Sequence, residues 1–182
     1  MRLFIAALLS AALVSIASPA MAERITIKDP AHDHIPPGGE DFHGVGDVIR
    51  VRVDHAPKRV YVDTVFRVEP YDNLEVQLDT RKGRPGPEFY LLRTYLGVTL
   101  WRYTDQKGHT KREKCADKGV KYLPKKRTWT AHVNRGCLRW PAKKGVTPRQ
   151  VRVRVLSASD DYYFMLDYVP GKHRYSRWVQ HN

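Results

Sequence analysis

Long hydrophobic runs are rare in this 182-residue sequence, and the most extended one lies between residues 3 and 16. A run of that length is too short to span a bilayer, which takes about 20 apolar residues. It follows a basic residue, Arg2, and leads to small residues, which is the layout of a secretory signal peptide and its cleavage site. We therefore predict a secretory signal peptide over residues 1–22. Residues 23–182 would then form a single secreted, extracellular domain.

Cysteine is equally scarce, with Cys115 and Cys137 as the only two in the chain. Neither belongs to a C-x-x-C pair, so the sequence gives no sign of a thiol redox centre. Cysteines of exported proteins usually pair, because the compartment is oxidising. We expect one disulfide between Cys115 and Cys137. A reactive thiol is the alternative that the sequence leaves open.

Motifs of the common enzyme classes are absent as well. The sequence has no G-x-S-x-G nucleophile elbow, no Walker A loop and no dinucleotide-binding fingerprint. A glycosidase would need two carboxylates that face each other across a sugar, and Asp79 and Glu88 are a pair that could serve. We favour a non-catalytic protein. An extracellular hydrolase or metal-dependent enzyme that uses the acidic N-terminal segment is the alternative.

A helical period of 3.6 residues is sustained nowhere over ten or more residues, whereas a period of two is common. Segments 47–54, 59–68, 74–80 and 150–155 alternate most clearly, with β-branched residues on the face expected to be buried. Turns rich in Pro, Gly, Asp and Asn separate these and weaker candidates. The pattern predicts an all-β fold, an antiparallel β-sandwich of about ten strands.

Two of these segments carry arginine at alternate positions. The first would place Ile49, Val51 and Val53 together on the buried face. We interpret the arginines as a solvated outer face that also discourages strands from pairing edge to edge. These arginines are Arg50, Arg52, Arg152 and Arg154.

The formal net charge is +13, and its distribution is strongly uneven. Residues 23–88 carry ten Lys and Arg against thirteen Asp and Glu, whereas residues 89–182 carry twenty-one against six. The two halves of the chain therefore have opposite electrostatic character. This separation indicates two candidate sites of opposite sign.

The first candidate site is the acidic segment 29–47, where five carboxylates and three histidines are separated by Pro and Gly. Calcium takes roughly six to eight oxygen ligands and tolerates irregular loops, and acids at the ends of later strands could complete its shell. A softer metal held by His32, His34, His43 or His55, and a solvated loop that binds nothing, remain open. The candidate calcium ligands are Asp29, Asp33, Asp47, Asp79, Glu88 and Asp167.

The second candidate site is the segment 107–127, which has nine Lys and Arg against two acids. Such a surface attracts polyanions, and the attraction weakens as salt rises. Outside the cell the partners would be anionic polysaccharide, cell-wall polymer or phospholipid head groups, and export makes nucleic acid the weaker expectation. The alternative is a solvated face that serves solubility alone. The candidate polyanion-binding residues are Lys111, Arg112, Lys114, Lys118, Lys121, Lys125, Lys126 and Arg127.

The four tryptophans allow a further interpretation, a platform on which sugar rings stack. In a β-sandwich, however, tryptophan usually belongs to the core, because it buries a large apolar area. Among Trp101, Trp129, Trp140 and Trp178, the last two are the better candidates for exposure.

Several stretches together resemble a group of uncharacterised secreted bacterial β-sandwich proteins. They are "DVIRVRVDHAPKRVYVDTVFRV" (47–68), "LDT…PEFYLL" (78–92), "GCLRWPAKKGVTPRQVRVRV" (136–155) and "DYVPGKHRYSRWV" (167–179). The group's D-x-x-G-D motif corresponds to residues 29–33, with His32 at the glycine position. The order of elements is also distantly similar to carbohydrate-binding-module and DOMON-type sandwiches. The resemblance implies a jelly-roll-like β-sandwich outside the cell, with a structural calcium and no known catalysis.

Overall fold

The chain folds as β-structure throughout the part that can be described. The computed structural model describes residues 23–30, 45–105, 107–139, 146–158 and 166–181. Within these ranges there are twelve β-strands and two short 3-10 turns, Pro124–Lys126 and Arg135–Leu138, and no α-helix. The all-β prediction is confirmed.

The strands form two antiparallel sheets. The first contains, in spatial order, β1 (Arg24–Lys28), β2 (Val48–His55), β3 (Arg59–Phe66), β9 (Thr128–Asn134) and β8 (Lys118–Leu123). The second contains, in spatial order, β11 (Leu166–Val169), β10 (Gln150–Ala158), β4 (Asn73–Asp79), β5 (Phe89–Thr94), β6 (Gly97–Tyr103) and β7 (Thr110–Glu113). A short last strand, β12 (Val179–Gln180), also pairs with β10.

The two sheets pack face to face over one hydrophobic core. Successive side chains of a strand point to opposite faces, so the alternating residues of β3 and β10 send one set inward. Phe66 and Val153 are fully buried, and Val62 of the first sheet faces Leu78 and Leu91 of the second across a narrow apolar space. Burying each such side chain contributes about 1.5–3 kcal/mol, which makes this layer the main source of stability.

The start of β2 departs from simple alternation. Val48 pairs with Phe66 and Arg50 pairs with Val65, so Ile49 is an extra residue in β2, a β-bulge. As a result Val48 enters the core and is fully buried, whereas Ile49 is only half-buried. The prediction that placed Ile49 on the buried face was wrong, because the bulge inserts one residue and shifts the alternation at the start of β2.

The predicted disulfide between Cys115 and Cys137 is present. Cys115 lies in the short crossing between β7 and β8, and Cys137 lies in the 3-10 turn that follows β9. The side-chain oxygen of Asn134 caps that turn by accepting a hydrogen bond from the N–H of Gly136 at 2.7 Å. The crossing runs from the terminal strand of one sheet to the terminal strand of the other, so the disulfide fastens one edge of the sandwich.

Glu23, directly before β1, joins the first sheet to the last strand of the second. Its carboxylate accepts hydrogen bonds from the backbone N–H of Gln180, at 2.5 Å, and from the guanidinium of Arg177. Its carbonyl accepts from the backbone N–H of His55, at the end of β2, at 3.1 Å. The hydrogen bond from Gln180 lowers the pKa of Glu23, so this carboxylate is ionised at neutral pH.

The segment that precedes β12 covers part of the outer face of the second sheet. Arg152 lies against the rings of Tyr175 and Trp178, 5.0 and 4.9 Å from their centroids. Arg154 donates to the side-chain oxygen of Gln77 at 2.9 Å. Both arginines of β10 are therefore engaged by their own fold, which differs from the solvated face expected from the sequence.

No helix among the residues described is long and apolar enough to cross a membrane. The predicted signal peptide, residues 1–22, lies outside them. The strand order establishes two packed antiparallel sheets, and a jelly-roll connectivity within them stays a prediction.

Candidate functional site

The basic residues of segment 107–127 gather at one edge of the sandwich. β7 is an edge strand of the second sheet and β8 is an edge strand of the first, and the chain crosses directly between them. The 3-10 turn Pro124–Lys126 extends this edge beyond β8. We call the eight predicted polyanion-binding residues at this edge the basic edge surface. They are Lys111, Arg112, Lys114, Lys118, Lys121, Lys125, Lys126 and Arg127.

Most of the basic edge surface has no partner within the fold. Seven of its residues are exposed and Lys118 is half-buried. Lys118 donates to the backbone carbonyl of Cys115 at 2.8 Å, and Arg127 donates to that of Arg67. The other six cations have no hydrogen-bond or ion-pair partner among the residues that the structure describes. Their donors are therefore available to a ligand.

The two acids of the segment are occupied by arginines from elsewhere in the fold. Arg102 of β6 donates from Nε to Glu113 at 2.5 Å, and a terminal nitrogen of Arg59 lies 2.7 Å from Asp117. The hydrogen bond from Arg59, with a second one from Asn134, lowers the pKa of Asp117. Because these carboxylates are already paired, they do not neutralise the surrounding lysines, and the edge keeps its positive field.

The turn after β8 fixes the backbone of the last cations in the surface. Arg127 has a left-handed conformation, φ 48° and ψ 48°, which is uncommon for a residue other than glycine. Its N–H donates to the carbonyl of Pro124 at 3.0 Å, and the hydroxyl of Thr128 donates to the carbonyl of Lys126 at 2.8 Å. Lys125 and Lys126 therefore project from a turn that hydrogen bonds define.

Two of the predicted calcium ligands meet at the outer face of the second sheet. Asp79, at the end of β4, and Glu88, directly before β5, are buried and hydrogen-bonded to each other. Arg152 lies 2.6 Å from Asp79, and Glu88 accepts from the backbone N–H of Thr80 at 2.7 Å. Gly86 passes directly over the pair, because a Cβ at that position would lie 2.4 Å from Cγ of Asp79.

The carboxyl group of Glu88 holds its proton to an unusually high pH. Burial, together with the neighbouring charge of Asp79, raises the pKa of Glu88 to about 7. Glu88 also lines a cavity of about 480 Å³ with Arg81, Arg84 and Tyr103. Because its carboxyl group is already held by Asp79 and by the turn that follows β4, the contacts described give it a structural use, pinning the hairpin between β4 and β5.

The remaining predicted calcium ligands that can be described lie around the start of β2. Asp47 directly precedes β2, and Asp29 directly follows β1, where its N–H donates to the carbonyl of Ile49 at 3.2 Å. Asp167 accepts from the backbone N–H of Val48 at 2.6 Å. The fold thus separates these three acids from the acid pair.

The distance between the two groups follows from strand register. Asp79 pairs with Arg152, and Asp167 pairs with Ser157, so the two acids are about 17 Å apart along β10. Among the described residues, no group of three or more His, Cys, Asp or Glu side chains is arranged to hold a metal ion. Asp33 lies outside those residues, and the calcium site stays a prediction.

His55, which the sequence offered as a ligand for a softer metal, is fully buried at the end of β2. Its Nδ1–H donates to the carbonyl of Val179 at 3.1 Å, and its ring centroid lies 5.5 Å from that of His181. Burial lowers the pKa of His55 to about 4, so the ring is neutral at pH 7 and links β2 to β12. The other three candidate histidines lie outside the described part of the chain.

The tryptophans that the structure describes are packed against the fold. Trp129 belongs to the core. Trp101 stacks on Tyr90 on the outer face of the second sheet, with ring centroids 6.2 Å apart. Trp178 is half-buried, and Trp140 lies outside the described residues. None of the three described side chains is in the exposed class, and the sugar-stacking platform stays a prediction.

Sequence reasoning did not identify the arginines that occupy the acids of the edge. Arg59 is 58 positions from Asp117 in the chain, and Arg102 is 11 positions from Glu113. Only strand register brings these residues together. A charge pattern within one segment carries no signal for such partners.

Comparison of the chain with protein-family models, with curated proteins and with solved structures finds no match. The resemblance to secreted bacterial β-sandwich proteins therefore stays a prediction.

Proposed function

We propose that the protein is a secreted, non-catalytic binding module for an anionic extracellular polymer or surface. The observation that carries the proposal is the basic edge surface, where six cations have no partner among the described residues and both local acids are occupied by other arginines. Repeated cations along one edge match a ligand with repeated anions. Acidic polysaccharide, cell-wall polymer and phospholipid head groups have that chemistry.

The same lysines also have a structural use that requires no ligand. Terminal strands expose unpaired N–H and C=O groups, and lysines on them discourage a further strand from adding. Both uses explain exposed cations. Only the binding function predicts an affinity for polyanions that weakens as salt rises. It also predicts that this affinity depends more on the edge residues than on equally exposed cations elsewhere.

The test is a salt titration of binding by the purified protein to heparin, polyglycerol phosphate, single-stranded DNA and vesicles of anionic phospholipid. The edge variant is Lys111→Gln, Arg112→Gln, Lys121→Gln and Lys125→Gln. The matched control removes four exposed cations outside the edge, in Lys58→Gln, Lys82→Gln, Arg149→Gln and Lys172→Gln. We expect wild-type affinity for at least one of these polyanions to fall as salt rises, and the edge variant to lose at least about tenfold in affinity.

The control variant distinguishes binding at the edge surface from a general effect of the protein's net charge. It should lose less than about threefold in affinity, because its cations lie outside the edge surface. Equal losses in the two variants would overturn the assigned surface. Indifference of the wild-type protein to all four ligands at low salt would overturn the function itself.

An extracellular hydrolase is the second candidate, and one observation favours it. Glu88 titrates near neutral pH and lines a cavity, as a general acid would. Its carboxyl group is, however, held by Asp79 and Thr80, which is why binding is preferred. Hydrolysis of any tested polymer that disappears in Glu88→Gln would replace the binding function with this one.

A structural calcium remains part of the proposal and has its own test. A ligand that binds only the folded state must raise stability. We expect the thermal midpoint to be higher in millimolar calcium than in chelator. An unchanged midpoint would remove calcium from the proposal and leave polymer binding as it stands.

A further inference from the structure

Two pairs of arginines with the same strand pattern have opposite environments. In both β2 and β10, two arginines alternate with buried valines. Arg152 and Arg154 of β10 are engaged by side chains of the second sheet and by aromatic rings. Arg50 and Arg52 of β2 are exposed and have no hydrogen-bond, ion-pair or ring partner among the described residues. The described fold does not use their donors.

These two free arginines line a furrow on the outer face of the first sheet. The furrow has a volume of about 360 Å³, and Arg50, Arg52, Lys126, Thr130 and Asp63 are among its walls. Arg52 pairs with Asp63 of β3, and Asp63 pairs with Thr130 of β9. The furrow therefore runs across the strands, from β2 towards β8.

The furrow continues the basic edge surface onto the sheet. Lys126 lines the furrow and belongs to the edge surface, and Lys121 of β8 pairs with Thr130. Beyond β2, a second hollow contains Arg24, but its guanidinium is already paired with Asp54 at 2.6 Å. Cations without described partners thus extend from the edge into the furrow and end at β2.

We propose that the furrow binds phosphate or sulfate groups of the polymer that the basic edge surface captures, an inference that rests on the proposed function. A guanidinium is a planar fork that takes two oxygens of an oxyanion. Thr130 adds a hydroxyl that has no partner among the described residues. A sulfate ester has three terminal oxygens, and a phosphodiester has two terminal and two ester oxygens, so either group can accept from the fork and from the hydroxyl at once, whereas a carboxylate has only two oxygens. The furrow therefore favours tetrahedral oxyanions over carboxylates.

The two arginines are also held at a fixed spacing. They are two residues apart on one strand, which separates their Cα atoms by about 7 Å. The intervening Val51 and the following Val53 are fully buried and anchor β2, which lies between β1 and β3, to the core. Anchored groups lose less entropy when a ligand binds. An extended polymer with anionic groups at a comparable spacing can place one at each arginine.

Asp63 limits how strongly the furrow attracts anions. Among the described residues that line it, Asp63 supplies the only carboxylate, and it is not in ion-pair contact with Arg52. A negative charge between the arginine and Thr130 opposes a bound oxyanion. Its removal should strengthen binding, which is a change that damage to the fold would not produce.

The experiment compares two variants with the wild-type protein, Arg50→Gln with Arg52→Gln, and Asp63→Asn. The probes are heparin for sulfate, polyglycerol phosphate for phosphate and polyglutamate for carboxylate. We expect the arginine variant to lose about tenfold in affinity for the first two polymers, since charge-assisted hydrogen bonds are lost, and less than about threefold for polyglutamate. Asp63→Asn should gain about threefold on the first two.

The control is Lys58→Gln with Lys82→Gln, which removes two exposed cations outside the furrow and should change affinity less than about twofold. An arginine variant that binds like wild type, while the edge variant loses affinity, would overturn the furrow and leave the proposed function. Equal losses on all three polymers would overturn the preference for phosphate and sulfate. If the wild-type protein binds none of the polymers, the proposed function is overturned, and the furrow with it.

Discussion

Arg152 places Nε and a terminal nitrogen each 2.6 Å from Oδ2 of Asp79, a carboxylate with no solvent exposure. The pair joins β10 to β4 and lies beneath the loop that carries Gly86. A buried ion that loses its partner is far more costly than an exposed one. Loss of Arg152 should therefore destabilise the protein much more than loss of Arg52, which is exposed on β2.

We expect Arg152→Gln to lower the free energy of unfolding by about 3 kcal/mol at pH 7, because it leaves Asp79 buried without its cation. The measurement is chemical denaturation at equilibrium. The matched control is Arg52→Gln, an exposed arginine in the same strand pattern, which should change stability by less than about 0.5 kcal/mol. Equal effects of the two substitutions would contradict the role given to Arg152.

Glu88 makes the stability of the protein fall as pH rises. Its folded-state pKa, about 7, lies above its ordinary value of 4.5, so the folded state favours the protonated form. The stabilising contribution is complete below pH 4.5 and is lost as pH rises through 7. Glu88→Gln cannot titrate and imitates the protonated carboxyl. Its stability relative to wild type should increase by about 3 kcal/mol between pH 4.5 and pH 8, measured by denaturation across that range. A difference independent of pH would contradict the raised pKa.

His55 has the opposite dependence. Its folded-state pKa, about 4, lies below its ordinary value of 6.5, because burial disfavours the charged ring. Its contribution is complete above pH 6.5 and is lost as pH falls through 4. We expect a loss of about 3 kcal/mol across this window.

The two pH dependences oppose each other between pH 4.5 and 6.5, so the effect of His55 is best measured in the Glu88→Gln background. Adding His55→Asn, which keeps a donor for the carbonyl of Val179, should flatten the remaining dependence. A slope that persists unchanged in the double variant would assign the titration to another group.

Removal of the disulfide should lower the stability of the whole fold and leave the proposed ligand surface in place. Cys115 and Cys137 are 22 positions apart, and a loop of this size is worth about 3 kcal/mol when the unfolded chain is freed from its cross-link. Replacement of both residues by Ala should lower stability by that amount. Under conditions where the variant stays folded, polymer affinity should change little, because hydrogen bonds of β7 and β8 still position the cations.

The sequence predicts well those strands that alternate strictly between apolar and polar residues. β3 and β10 lie where the alternation placed them, because their β-branched faces enter the core. β7 was missed, since Thr110–Glu113 contains no apolar residue and is defined by its pairing with β6. Ile49 was misplaced, because a bulge depends on the partner strand as much as on the residue itself.

Of the candidate sites, the sequence likewise predicted those parts that are contiguous in the chain and missed those that depend on strand register. The cations of 107–127 lie along one edge because they are contiguous in a chain that turns directly from β7 to β8. Asp79 and Asp167 lie far apart because they pair with different positions of β10, and residue spacing encodes no such register. The furrow was hidden for the same reason, since Arg52, Asp63 and Thr130 come from three separate strands.

The carboxylate of Glu23 binds β12, while its carbonyl binds the end of β2, so this residue couples the two extremities of the described fold. Detachment of β12 would break its hydrogen bond to Glu23 and, in the same event, take the carbonyl of Val179 away from His55. β1 and β12 should therefore become accessible to hydrogen exchange at the same opening free energy. Local unfolding at this end would then expose strands of both sheets in a single opening event.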